Sequence, residues 1–298
     1  MSRIILFLLL TVLSLTPVGA IRPAAAPLPP ADDRPRILIT NDNGIEDPKL
    51  IALARAFATR AETWVVAPAE DQSGTGSSLK LPRAGAVQVE RRDLGPGIEA
   101  FAVDGYPGDC VLVAGLALLE DRPPTLVVSG INGGPNLGAD WMFSGTVGAA
   151  RVAAFAGLPA IAVSGLDDDI PGAVEAAVEW VVSFAEHDVV RELEPGEYLT
   201  VSLPPGGPAD VRDVRVADRA PLSRGPDLHY DEDEGVCQVT GMFSRDVAIS
   251  AIADERLHED GHIAVVPMRV DEVDRARLLE WMGTDPEFPA WRPAGQER

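Results

Sequence analysis

Arg36-Ile37-Leu38-Ile39-Thr40-Asn41-Asp42-Asn43-Gly44 is the stretch on which the fold turns. An apolar, β-branched run from Ile37 to Thr40 stops abruptly at three polar side chains and a glycine. It reads as a buried strand whose C-terminal end delivers Asn41, Asp42 and Asn43 into a tight turn before a helix. In an open parallel sheet, ligands bind in the crevice beyond the carboxyl ends of the strands. Carboxylate and amide oxygens placed there are hard donors, suited to Mg²⁺, Mn²⁺ or Ca²⁺. The same residues also make an Asx-rich turn that caps the next helix, and on this stretch alone both readings stand.

The pattern repeats downstream. Asp47-Pro48-Lys49 opens a helix with Leu50, Leu53, Ala54 and Phe57 on one face. Glu62 to Pro68 is the next strand, and it runs into Glu70 to Ser78, a loop of small hydroxylated residues and glycines. Such a loop can bring backbone N–H groups to an anion, or it can be a flexible turn. It is neither a Walker loop, lacking the Gly-Lys-Ser/Thr ending, nor a dinucleotide fingerprint, since Leu79 stands where the last glycine belongs. Val87 to Val89 and Ile98 to Val103 flank Gly95-Pro96-Gly97 and predict a hairpin. Asp104 to Asp109 leads into an apolar helix from Cys110 to Leu119. The strand Pro124 to Ser129 again ends in a polar, glycine-rich loop, Ser129 to Gly138. Ser144-Gly145-Thr146-Val147-Gly148 then enters an Ala-rich helix, Ala149 to Ala156. Hydroxyl side chains at a helix N-terminus make an anion site, because the first amides are unpaired and the dipole is positive there. A strand, Pro159 to Ser164, and a helix, Ala173 to Phe184, complete the series.

Strand–helix alternation from Arg36 to Glu186 predicts a three-layer, Rossmann-like, doubly wound α/β sheet over residues 36–190. The remainder, 191–298, reads as a β-rich extension with a C-terminal helix. Its expected strands are Tyr198 to Leu203, Val211 to Val216, parts of Val236 to Ile252, and Ile263 to Pro267; its helix lies around Val273 to Met282. Asp231 to Glu234 is a solvated loop, since consecutive like charges cannot all point at one ion. Extended arms with weak local cores pair between subunits, so this part is the expected dimerisation arm, in a homodimer or a dimer of dimers.

Composition bounds the function. The 298 residues are 46% hydrophobic, enough for one large domain with an appendage. A net charge of −21 excludes broad binding to a nucleic-acid polymer, which needs clustered positive charge. A small phosphorylated ligand remains possible where a metal or backbone amides supply the positive potential. Met1 to Ala20 has the layout of a secretory signal peptide: Arg3 is its one charge, Ile4 to Leu13 is apolar but for Thr11, and Pro17 to Ala20 offers small residues for cleavage. At about ten residues the apolar run is too short to span a bilayer. No cysteine follows it for a lipid anchor, so no stable membrane anchor is expected. Residues 21–35 are Pro/Ala-rich and read as a disordered lead-in. The expected location is periplasmic or secreted. Cys110 and Cys237 are expected as two structural thiols rather than a disulfide. Neither begins a Cys-x5-Arg phosphatase motif, and His187, His229, His258 and His262 all follow the sheet core.

The loops after three apolar strands thus offer Asp42 and Asn43, then Ser73, then Asn132. Converging at one sheet edge, they would form an all-oxygen site for a hard divalent ion; zinc would call for His or Cys.

Several motifs here resemble successive signatures of the SurE family, the stationary-phase survival nucleotidases. They are Asn41 to Ile45, Ala67-Pro68 with Ser73-Gly74, Val103 to Gly105 with Pro107 and Asp109-Cys110, Val128 to Gly133, Asn136 to Gly138, and Ser144 to Ala150. The likeness covers residues 36 to 166 and thins beyond. It implies a metal-dependent phosphohydrolase acting on nucleoside 5′- and 3′-monophosphates, and sometimes on polyphosphate. It further implies Asp42, Asn43, Ser73 and Asn132 as ligands of a divalent cation, Mg or Mn. Asn136, Ser144, Gly145 and Thr146 would contact the phosphate, and Asp42 would also handle the water proton. Where the family usually has two adjacent aspartates, this chain has Asp42 and Asn43, which implies weaker metal binding. A broad-specificity acid phosphatase and a catalytically weak nucleotide- or phosphate-binding protein are the alternative readings.

Overall fold

The computed structural model describes residues 34–221, 227–241 and 249–284; the expected signal peptide and residues 285–298 lie outside them. The chain runs β1 (Arg36–Thr40), α1 (Pro48–Ala58), β2 (Glu62–Pro68), α2 (Leu81–Ala84), β3 (Val89–Arg92), β4 (Ile98–Val103) and α3 (Pro107–Val113). Then come β5 (Leu126–Ser129), α4 (Gly145–Phe155), β6 (Ala160–Ser164), α5 (Ala173–Ala185), α6 (Asp188–Arg191), β7 (Glu197–Ser202), β8 (Val214–Val216), β9 (Asp227–Asp231) and β10 (Val236–Gly241). The last elements are α7 (Asp254–Glu259), β11 (Ile263–Arg269) and α8 (Arg275–Thr284).

One nine-stranded sheet has the order β3-β4-β2-β1-β5-β6-β7-β11-β8. From β4 to β7 its strands are parallel, while the β3 edge is antiparallel, as is β11 against β7. Alternation along β1 builds two cores. Ile37 and Ile39 face the layer of α1 and α5, and Leu38 faces the layer of α3 and α4. The doubly wound, three-layer expectation is met. The chain leaves β1 toward β2 and β4, then returns to the other side of β1 as β5. The topological switch point therefore lies between β1 and β5, where such sheets bind ligands.

Local expectations shift in places. The first hairpin strand is Val89–Arg92 rather than Val87 to Val89, because pairing with Val103 to Ala100 sets its register. The helix expected from Cys110 begins at Pro107, whose fixed φ suits a first turn, and passes into a π-helical turn at Ala114–Leu118. The Ala-rich helix starts at Gly145, with Ser144 as its cap. Beyond residue 190 the sheet continues: β7, β11 and β8 extend the same hydrogen-bonded array. Val236 to Ile252 yields β10, while 242–248 lies outside the described residues. In the acidic run Asp231 to Glu234, Asp231 ends β9 and the rest lies in the turn of the β9–β10 ribbon. Cys110 is buried and Cys237 exposed, both as free thiols. Among the described residues, no helix is long and apolar enough to cross a membrane.

Candidate functional site at the β1–β5 switch point

Asp42 is the first side chain beyond β1 that carries charge, and it is 3% exposed. Its placement depends on α4. The Thr146 amide donates to Asp42 Oδ2 at 3.1 Å, and the Thr146 hydroxyl donates to Asp42 Oδ1 at 2.7 Å. The anion at the positive end of this helix is thus the Asp42 carboxylate itself. Gly145 lets it approach, since a Cβ there would meet Asp42 Cβ at 2.7 Å and Oδ2 at 2.9 Å. Ser144 caps the helix by accepting from Val147 N at 3.1 Å. Burial pushes the Asp42 carboxyl above its ordinary pKa; the bonds from Thr146 oppose this, and the charge of Asp71 adds to it.

Asn41 forms the turn by donating to the Gly44 carbonyl at 2.9 Å and accepting from Gly44 N at 3.2 Å. Gly44 takes φ 103°, a value open to glycine. Asn43 is half-buried, and its Oδ1 is buried without a hydrogen-bond partner. Thr40 Oγ1 and Ser129 Oγ, on paired residues of β1 and β5, also lack partners. A row of unpaired polar atoms at a switch point is a place for a polar ligand.

The loop after β2 reaches this point through Gln72 N, which donates to the Asp42 carbonyl at 2.7 Å. Ser73, the next residue, is exposed and engages Asp71: its N–H donates to Oδ1 at 2.9 Å and its hydroxyl to Oδ2 at 3.2 Å. The loop after β5 is joined to β1 by Gly130 N donating to the Thr40 carbonyl at 2.8 Å. Asn132 donates its side-chain N–H to the Gly134 carbonyl at 2.7 Å, which leaves Oδ1 as its acceptor. Asn136 is 8% exposed, and its side-chain nitrogen has no partner.

The three loops foreseen from the sequence therefore lie at one edge of the sheet. Asp42, Gly145 and Thr146 are in direct contact, and Ser73 bonds to Asp71 rather than to Asp42. Asp71, the partner of Ser73, went unnoticed in the sequence, although it sits in the loop already singled out. Asp109, part of a recognised motif, is scaffold: fully buried, it accepts from Tyr106 N, Lys80 N and Leu81 N at 2.8–2.9 Å.

Comparison with known proteins now bears on this arrangement. A family profile described as "Survival protein SurE" matches residues 37–223. "5'-nucleotidase SurE 1" of Burkholderia lata is 36% identical over 255 residues, covering 79% of this chain and 91% of that protein. "5'-nucleotidase SurE" of Sorangium cellulosum is 40% identical over 190 residues, covering 62% of this chain and 71% of that one. The crystal structure of the SurE protein from Aquifex aeolicus superposes with a TM-score of 0.69 at 27% identity, covering 85% of this chain and all of that one. With its profile match lying over the switch-point loops and its relatives matching along most of their length, this chain belongs to the SurE family.

Proposed function

We propose that the protein hydrolyses nucleoside 5′-monophosphates to nucleoside and phosphate with the help of a divalent cation, Mg²⁺ or Mn²⁺, and that 3′-monophosphates or polyphosphate are further substrates. The observation that carries this reading is Asp42, a buried carboxylate held at the switch point by Thr146 and flanked by the unpartnered Asn43 Oδ1. The nucleotidase names of the relatives support it.

The donors fit a hard cation. Among the described residues, no three His, Cys, Asp or Glu side chains gather as a metal cluster. A cation here would rest on Asp42 and on the neutral oxygens of Asn43, Ser73 and Asn132. Once bound, such an ion supplies Lewis-acid polarisation of a phosphoryl oxygen and activation of a water. The chain's own residues do the rest. Asp42 holds the water proton at a carboxylate oxygen, and Thr146 keeps that carboxylate oriented. Ser144, Gly145 and Asn136 receive the phosphate, with Thr146 linking that cradle to Asp42. Beside Asn132, a cleft of ≈ 340 Å³, lined in part by Gly133, Pro135, Asp168 and His258, gives the nucleoside room.

Phosphate release from AMP, GMP and p-nitrophenyl phosphate, measured with Mg²⁺, Mn²⁺ or EDTA, tests the reading. The expected result is metal-dependent release from the nucleotides that EDTA abolishes. Equal release from p-nitrophenyl phosphate would make the protein a general phosphatase, and none from any substrate would make it a binding protein.

Asn43→Asp restores a second charge to the first loop and is expected to tighten Mn²⁺ binding in a calorimetric titration. An unchanged isotherm would remove Asn43 from the ligand set.

The oligomer is proposed to form through the β9–β10 ribbon. A lone two-stranded ribbon is marginal in water, and this one exposes Leu228, Tyr230 and Val239 at about 60% each. Deleting everything after Pro226 would remove β11 from the central sheet, so the sharper test keeps the whole chain. Leu228→Ser with Tyr230→Ser and Val239→Ser is expected to sediment as a smaller species than wild type. An unchanged sedimentation coefficient would rule the ribbon out.

Export through the N-terminal leader is also proposed; it would place phosphate and nucleoside release outside the cytoplasm. Cell fractionation of the full-length product tests it, and protein confined to the cytoplasm would overturn it.

A further inference from the structure

The substrate loop of this protein is held from a distant part of the chain. Arg219 lies just after β8 and Asp254 opens α7, and their side chains form an ion pair at 2.9 Å. The pair is deeply placed, with side-chain exposures of 15% and 1%. Its bonds run to the loop after β5. Arg219 Nη1 donates to the Asn136 carbonyl at 2.8 Å, and Gly138 N donates to Asp254 Oδ2 at 2.9 Å. The two ends of the segment 136–138 are thereby fixed by one ion pair. Arg219 is itself braced on the sheet, since its Nη2 donates to Thr200 Oγ1 on β7 at 2.6 Å. Asp254 also accepts from Ala220 N and Glu255 N, each at 2.9 Å. Gly138 takes φ +49°, and a Cβ there would meet Glu255 Oε1 at 2.2 Å, so the loop lies flush against the start of α7.

A second observation gives this clamp a purpose. Asn136, whose backbone Arg219 holds, is nine-tenths buried and keeps its side-chain N–H₂ without a partner. A buried unsatisfied donor is costly unless something else accepts from it. The clamp spends charged groups on the Asn136 main chain and leaves its side-chain donor unused. We propose that Arg219 and Asp254 are positioning residues that hold Asn136 with its side-chain amide ready to donate to an anionic oxygen of the substrate phosphate. This rests on the nucleotidase reading only in naming that phosphate. The ion pair is neutral overall, so its action is geometric: it sets where one hydrogen bond is offered.

Inorganic phosphate, titrated calorimetrically into the full-length protein, is the direct probe. Arg219→Lys keeps the charge but loses the fork, and Asp254→Asn keeps the shape but loses the charge. In each, phosphate affinity is expected to fall about 10- to 100-fold, the effect of one hydrogen bond to a charged group. KM for AMP is expected to rise correspondingly while kcat changes less. A purely architectural pair would lower the melting temperature and leave phosphate affinity and KM unchanged at temperatures where the variant is folded. Should a single variant fail to fold, Arg219→Met with Asp254→Leu replaces the pair by apolar side chains, an exchange that buried ion pairs can tolerate. Folded variants that bind phosphate as wild type does, or a wild-type protein that binds none, would overturn the proposal. A wild-type protein that binds phosphate through the clamp yet cleaves no nucleotide would refute the nucleotidase reading and leave the clamp standing.

Discussion

Asp42→Asn is expected to lower kcat on AMP by about 100- to 10,000-fold, the contribution of a positioned acid–base group. The fold should survive. The substitution keeps the size of the side chain: an amide oxygen in the place of Oδ2 can accept from Thr146 N, and the amide N–H₂ in the place of Oδ1 can donate to the Thr146 hydroxyl, which also accepts. What is lost is the charge, and with it the carboxylate of the proposed cation site and the acceptor for the water proton. Burial already works against that charge and pushes the Asp42 carboxyl above its ordinary pKa. A site that bears this cost without using the carboxylate would be wasteful. Steady-state assays at saturating Mn²⁺, with circular dichroism as the folding control, decide the matter. Near-wild-type turnover from a folded Asp42→Asn protein would take Asp42 out of the chemistry.

The second large effect is on stability. In an exposed helix interior, replacing glycine by alanine gains about 1 kcal/mol. Gly148→Ala in α4 should do the opposite. A Cβ there would stand 2.0 Å from the Gly76 carbonyl oxygen and 2.9 Å from Ser77 N, and both neighbours are backbone that cannot rotate away. Overpacking of this kind costs about 1–3 kcal/mol and at times more. The loop is pinned on its other side as well, because Gly76 N donates to the Phe143 carbonyl at 3.0 Å. Relief must therefore move the segment that carries Ser73 or displace α4, on which Asp42 depends. Urea unfolding is expected to show a lower midpoint, and Mn²⁺ titration a weaker affinity. A stabilised Gly148→Ala protein would mean that α4 and the Gly76 loop are not in backbone contact in solution.

Much of this was legible in the chain itself. Runs such as Ile37 to Thr40 and Glu62 to Pro68 mark buried strands because a strand covered on both faces must be apolar nearly throughout. Asn41 to Gly44 marks a turn because its side chains and its glycine satisfy the backbone locally. These are short-range effects, so three strand-end loops, the doubly wound order and the candidates Asp42, Asn43, Ser73 and Asn132 could be read in sequence. Helix starts were less clear although their signals are local: Ser144 caps α4 by accepting from Val147 N, and Asp109 accepts from Tyr106 N just before Pro107. Thr146 is the instructive residue. As a hydroxyl at a helix N-terminus it pointed to a bound anion, and the folded chain supplies an anion of its own, 104 residues earlier.

Tertiary structure alone decided the partners. Asp71 bonds Ser73 only two residues on, but its charge reached Asp42 only once the loop after β2 had joined β1 through Gln72 N. The membership of β7, β11 and β8 in the central sheet depends on hydrogen-bond register, which apolar alternation does not specify. Arg219 and Asp254 carry no local signature of their pairing: Arg219 stands 83 residues from the Asn136 it holds and 35 from Asp254. Local sequence reports which side chains are buried and where the backbone turns, whereas the identity of a buried polar partner is fixed only when distant segments close on one another and every unsatisfied group must find its bond.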